Sequence, residues 1–257
     1  MKIGLKLYSK DVALIPDAGK LKVKEFFDFV ELYVIPGSYE NTIENWKGLD
    51  VPYVIHAPHS YHGVNFAQVD KLETNLKHIG ETQLFADTLG AAIIIVHGGN
   101  NGSFDETLRQ ISLLDDSRMV LENKPKIGLS NEVCVGCTPS EFQYGIEREV
   151  LNGIALDFGH ASCAARSLGI NAMEIIKDLM IFKPKIFHLS DGDALSERDI
   201  HLNLGRGDLD LSEFVSVIPD DSLITIETPR NPLNKLDDFM KDILFLRRIL
   251  SQNVRLN

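Results

Sequence analysis

Cysteine is scarce in this chain. Only Cys134, Cys137 and Cys163 occur, too few for a disulfide framework, so the fold is expected to hold without covalent staples and suits a reducing compartment. Long apolar runs are missing too. Nothing approaches the ~20 apolar residues of a membrane span, and the opening Met1-Lys2-Ile3-Gly4-Leu5-Lys6 alternates like a strand instead of running apolar like a signal peptide. A cytoplasmic protein with no membrane partner is the expectation. Basic residues are the minority, 26 against 37 acidic ones, and the formal charge of -11 does not attract polyanions. That argues against nucleic acid as far as the global field goes; divalent ions gathered in one cleft would reverse the sign locally. Low-complexity tracts are absent, which excludes an intrinsically disordered chain.

What is present is a globular composition, 44% hydrophobic over 257 residues, enough for one barrel of about 250 residues. Short apolar segments alternate with helical ones. Strands are expected at Lys2–Tyr8, Phe29–Ile35, Pro52–Ile55, Ala91–Val96, Met119–Leu121, Ile154–Leu156, Lys185–Phe187 and Leu223–Ile226. Between them the patterns predict helices at Val23–Val30, Asn41–Leu49, Gln68–Leu89, Phe104–Leu114, Thr138–Leu151, Ala172–Phe182, Leu211–Ile218 and Leu236–Leu250. Thr138-Pro139-Ser140-Glu141 reads as a capping box with proline at the first helical position. In the long helix, Val69, Leu72, Leu76 and Ile79 mark the expected inward face. Eight strand–helix units with right-handed crossovers predict an α/β fold, a single (β/α)8 TIM barrel domain over residues 1–257.

Closure of such a barrel has a chemical consequence. His56, His97, Glu122, Asp157, His188 and Glu227 stand at the ends of six successive predicted strands, and barrel strands deliver their C-terminal ends to one face. His160, Asp199 and His201 follow in the connecting segments, making nine candidates. Histidine and carboxylate without thiolate suit zinc, manganese or iron, and one ion needs only about four to six donors, so more than one ion is implied.

These residues lie in IHAP at His56, VHGG at His97, LENKP at Glu122, LDFGHA at Asp157 and His160, FHLSDGD at His188, DIHLNLGRGDL at Asp199 and His201, and IETP at Glu227. The set resembles the endonuclease IV family, also called type 2 AP endonucleases, within the xylose isomerase-like barrels. The resemblance implies up to three zinc ions. His56 and His97 would hold one, Asp157, His188 and Glu227 a second with Glu122 bridging, and His160, Asp199 and His201 a third. It implies phosphodiester hydrolysis, on abasic DNA or on a smaller phosphorylated substrate.

Three departures bear on the substrate. His59 stands where the family leads one to expect a DNA-probing tyrosine. LYVIPGSYE lacks the family's arginine-rich contact loop. Glu122-Asn123-Lys124-Pro125 looks like the glutamate-x-lysine-proline of sugar isomerases in the same superfamily. In related epimerases the equivalents of Glu122, Asp157, His188 and Glu227 bind one ion, and the two glutamates, with a lysine such as Lys124, move protons at carbon. A single-metal sugar or sugar-phosphate isomerase or epimerase is therefore the alternative.

Other features carry smaller expectations. Gly205-Arg206-Gly207 offers either close backbone approach to a phosphate or an ordinary tight loop. Asp191 and Asp193 either orient the ligands from outside or solvate their loop. His62 lies near the mouth, His78 is expected to be solvated mid-helix, and Cys134-Val135-Gly136-Cys137 is expected to be two reduced loop thiols.

Overall fold

The computed structural model describes residues 1–253. Eight parallel strands, β1 (Lys2–Tyr8), β2 (Phe29–Tyr33), β3 (Tyr53–His56), β4 (Ile94–His97), β5 (Met119–Glu122), β6 (Ile154–Asp157), β7 (Ile186–Leu189) and β8 (Leu223–Ile226), pair in chain order. β1 also pairs with β8, with Ile3 opposite Ile224 and Leu5 opposite Ile226, so the sheet closes into a barrel. The outer helices are α1 (Ile15–Val23), α2 (Tyr39–Lys47), α3 (Leu72–Leu89), α4 (Phe104–Ser112), α5 (Pro139–Glu147), α6 (Phe158–Leu168), α7 (Ala172–Met180), α8 (Leu211–Ser216) and α9 (Asp237–Asn253). No helix among the described residues is long and apolar enough to cross a membrane.

The two-residue period of a strand sorts the side chains into two cores. Leu5, Leu7, Val30, Leu32, Ile55, Val96, Leu121, Leu156 and Phe187 point outward into the layer shared with the helices. Phe29, Val54, Ile95, Val120, Ala155 and Ile186 form a separate buried cluster inside the barrel. Burying each of the larger ones stabilises the fold by roughly 1.5–3 kcal/mol. Gly4 makes room for this plug, since a methyl group there would overlap the ring of Phe29.

One step of that period above the plug come Glu31, His56, His97, Glu122, Asp157 and His188, two residues after Phe29, Val54, Ile95, Val120, Ala155 and Ile186 respectively. The site is thus built as the polar storey of the barrel interior, on an apolar floor.

Three expectations need correction. The helix expected at Val23–Val30 lies earlier, at Ile15–Val23, with Pro16 in its first turn; Phe29 and Val30 are taken by β2, which pairs with β1 and β3. In α3 the buried face is Asn75, Ile79, Thr82, Phe85 and Ala86, while Val69 and Leu76 are 71% and 43% exposed. Asn75 turns inward because its amide accepts from the Asn65 N–H at 2.8 Å and donates to Asn65 O and Gln110 Oε1. Apolar spacing alone misses such a polar anchor. Lastly, α6 follows β6 directly, started by Asp157 as N-cap and stopped by Gly169 in the left-handed conformation. The capping box of α5 forms as expected between Thr138 and Glu141.

Candidate metal centre

Eight of the nine candidate residues meet at the C-terminal mouth of the barrel in three groups, the donor atoms of each group lying within 4.8 Å of one another, and Asp199 stands beside them. His56, His97 and Glu122 form the first. Both Nε2 atoms face Glu122 Oε2, at 3.2 and 3.1 Å. Glu122, Asp157, His188 and Glu227 form the second, with His188 Nδ1 2.8 Å from Glu227 Oε2 and 3.5 Å from Glu122 Oε2. The third gathers Asp157, His160 and His201. Asp199 Oδ2 lies 3.3 Å from His160 Nε2 and contacts His201 Nε2 as well, so Asp199 adjoins this group, in which Asp157 takes the place expected for it. Glu122 is common to the first two groups and Asp157 to the last two.

Four of the five candidate histidines, all but His97, are oriented from behind. His56 Nδ1 bonds Ala57 O at 2.8 Å, His160 Nδ1 bonds Asn123 O at 2.8 Å and His201 Nδ1 bonds Glu227 O at 2.7 Å. His188 Nε2 instead donates to the buried carboxylate of Glu31 at 2.9 Å. In every case one ring nitrogen is spent on an anchor and the other is left facing carboxylates, the arrangement expected of metal-binding imidazoles. His201 adopts a positive φ of 37, a strained backbone that brings its ring into the site.

Buried polar atoms normally find a hydrogen-bond partner. Asp157 Oδ2, His188 Nδ1 and Glu227 Oε2 have none, the last two lying 2.8 Å apart without hydrogen-bond geometry, and all three residues belong to the second group. They are lone-pair donors, and leaving each unpaired costs about 1–3 kcal/mol or more for a charged group. A shared cation is the species that satisfies all three at once, so the residues fit a bound metal ion.

Electrostatics point the same way. Burial opposes ionisation of Glu122 and Glu227, but His97 and His188 beside the former, and Lys6 and His188 beside the latter, hold both well below the usual carboxylate range. Burial likewise opposes charge on His160 and His201, yet Asp157 raises the first to about 10 and the hydrogen bond to Asp199 raises the second to about 9. Crowded carboxylates draw positive charge into this pocket, and metal ions compete there with protons.

Two residues at the centre of this network escape a reading based on strand ends. Lys6, midway along β1, places Nζ 2.5 Å from Glu227 Oε1 and 3.1 Å from Glu31 Oε1. Glu31, midway along β2, also accepts from Thr225 Oγ1 at 2.6 Å. The available signal was a charge on the inward period of an otherwise apolar strand.

Lys124 lines the cavity, with Nζ 3.1 Å from His160 Nε2. His59 is more than a loop residue: it is stacked on His97 with ring centroids 5.1 Å apart. Burial, then Lys124, lowers its pKa to about 3. His62 sits by Tyr33 at the mouth. His78 is far from solvated on all sides, since its Nδ1 is buried.

The Gly205-Arg206-Gly207 turn is no phosphate cradle. The N–H groups of Gly205 and Gly207 both donate to Asp191 Oδ2 at 2.9 Å. Asp191 therefore organises the loop beside His201 and touches none of the candidate ligands, and Asp193 caps Leu195 within the same loop. Cys134 and Cys137 are free and buried, and Cys134 borders the cavity.

The mouth encloses a cavity of about 720 Å³. Its wall includes His56, His97, His160, Asp199, His201 and Glu227, together with Lys6, Tyr33 and Lys124.

Residues 22–249 match the model of the xylose isomerase-like TIM barrel family. The chain belongs to that family. No curated protein sequence matches it. Among solved structures, this xylose isomerase-like barrel is similar to a D-tagatose 3-epimerase-like protein, with a TM-score of 0.74 and 20% identity over 100% of both chains. It is also similar to endonuclease IV from Thermus thermophilus, with a TM-score of 0.71 and 21% identity over 98% of this chain and 100% of that one. A further Thermus thermophilus protein, soaked with ZnCl2, superposes with a TM-score of 0.68 at 18% identity over 98% and 99% of the two chains. At these identities the likeness establishes the fold, and the chemistry must be argued from the site.

Proposed function

We propose that this protein is a metal-dependent phosphoester hydrolase, with zinc as its cation. The observation that carries the reading is the linkage of the three donor groups through Glu122 and Asp157. A single-ion enzyme has no use for His56, His97, His160, Asp199 and His201 in that place. His56 and His97 would hold one ion, Asp157, His188 and Glu227 a second with Glu122 between them, and His160, Asp199 and His201 the third. When bound, such ions polarise phosphoryl oxygens and make water a nucleophile at neutral pH. The chain's own part is to orient the donors, to exclude bulk water with the apolar floor, and to offer the Lys124 ammonium to an anionic substrate. The net charge of -11 and the missing basic contact loop favour a small phosphorylated substrate over abasic DNA.

The isomerase reading has one observation of its own, that all three orphaned atoms are on residues of the Glu122, Asp157, His188 and Glu227 group. It requires Glu122 and Glu227 to move protons with help from Lys124. Against it, Glu227 Oε1 is held by Lys6 and its Oε2 faces the group, which makes Glu227 a ligand sooner than a proton carrier.

The test is metal analysis of the purified protein together with assays on phosphodiesters, sugar phosphates, an abasic oligonucleotide and ketoses. Zinc-dependent phosphate ester cleavage, lost in His160→Ala and His201→Ala, is expected. One ion per chain with ketose interconversion and no ester cleavage would overturn the proposal.

A further inference from the structure

The three donor groups differ in what stands behind them. In the first and third, His56, His160 and His201 rest on the backbone carbonyls of Ala57, Asn123 and Glu227, and His160 Nδ1 also lies 3.0 Å from Glu122 Oε1, itself a member of the other two groups. The second is braced by charge. Glu31 accepts the Nε2–H of His188, and Lys6 spans Glu31 Oε1 and Glu227 Oε1. Glu31 and His188 are 0% exposed, and so is Thr225, which donates to Glu31 Oε2, the oxygen that also accepts from His188.

Resting on the reading above, we propose that Lys6 and Glu31 are positioning residues that make the Glu122, Asp157, His188 and Glu227 group the tightest of the three, so that cations load in order, this group first. A carboxylate behind an imidazole fixes its tautomer and makes the far nitrogen a better donor than a carbonyl does. Lys6 performs the matching task for Glu227: by taking Oε1 it leaves Oε2 as the free atom, directed at His188 Nδ1. The charges agree. Glu31, Glu122, Asp157 and Glu227 bring four carboxylates against the single ammonium of Lys6, a deficit that one divalent cation reduces most where water is excluded. The third group sits nearer solvent, with His201 27% exposed in its side chain, and the Lys124 ammonium, 3.1 Å from His160 Nε2, opposes a cation there. Its ion is the one that exchanges, so hydrolysis follows metal supply while the first-loaded ion persists.

The experiment is a titration of the chelator-stripped full-length protein with Zn2+ in competition with a chromogenic chelator. Co2+ absorption is followed in parallel to report coordination. The wild-type chain is expected to show one tight step followed by weaker ones. Glu31→Ala should weaken the tight step by about 10–100-fold and leave the later steps unchanged. Glu31→Gln, which keeps an acceptor for His188 and removes only the charge, should fall between, with an intact far-ultraviolet dichroism spectrum as the check on folding. Lys6→Met should weaken the same step, and Lys6→Arg should partly restore it. An unchanged tight step in Glu31→Ala, or uniform weakening of every step in the folded Glu31→Gln, overturns the inference. The two proposals fail separately. Three equal steps in the wild type would sink the loading order and leave the hydrolase standing, whereas a single step overall would sink the hydrolase, with the Glu31 and Lys6 comparison still deciding their role at that ion.

Discussion

Asp157 performs two jobs with one carboxylate, and they can be separated. Oδ1 accepts the His160 N–H at 2.6 Å and starts α6, while Oδ2 is buried without a partner among the donors of two groups. Asp157→Asn keeps an oxygen for the cap and removes the charge; Asp157→Ala removes both. In chelator, the asparagine variant should be at least as stable as wild type, because burial and the nearby Asp199 already disfavour the ionised Asp157. The alanine variant should be less stable than the asparagine variant by the value of an N-cap, about 1 kcal/mol. That is roughly 2–4 °C in melting temperature for a chain of this size. Zinc reverses the ranking. At a hundredfold excess over the dissociation constant each ion adds about 2.7 kcal/mol, so losing two groups forfeits about 5 kcal/mol, or roughly 10–20 °C of the zinc-induced rise. Differential scanning fluorimetry with and without chelator measures these differences. Equal zinc-induced rises in wild type and Asp157→Asn would refute the assignment of Asp157 to the cation sites, and equal melting of the two variants in chelator would refute its role as cap.

Three further outcomes follow from the packing. Asp191→Ala strands the N–H groups of Gly192, Gly205, Gly207 and Leu209; hydrogen exchange should accelerate over 203–209, with a stability loss of at least about 1–3 kcal/mol. Gly4→Ala forces the inner ring of Phe29 to move and should cost about 1–3 kcal/mol in urea denaturation, where a neutral result would show the plug to be loose. Cys137 and Cys163 are pushed up to about 12, chiefly by burial, so an aromatic disulfide reagent at pH 8 should leave both unmodified until the chain is unfolded.

The barrel was legible because parallel strands buried on both faces read as short apolar runs, Ala91–Val96 most plainly, six of the eight ended by a histidine or carboxylate. The same regularity hid Lys6 and Glu31. In a strand a charge among apolar neighbours looks like the solvent side of the alternation, and only closure turns that side into the barrel interior. Asp157 hid α6 in a related way, since its reading as a strand-end ligand left no place for it as a helix cap. The misplaced first helix shows the limit of apolar content as a guide. Phe26, Phe27 and Phe29 suit helix or strand equally, and pairing of β2 with both neighbours decides between them.

The step of two residues between floor and ligand makes each strand a fixed stilt. Ala155 is the smallest member of the inner cluster and stands under Asp157, the carboxylate common to two groups. A larger side chain there would lift that oxygen relative to its neighbours while every donor stayed in the sequence. A chain can therefore retain all nine residues yet lose the spacing on which their cooperation rests, and the residue to inspect for that loss is an alanine that touches no substrate.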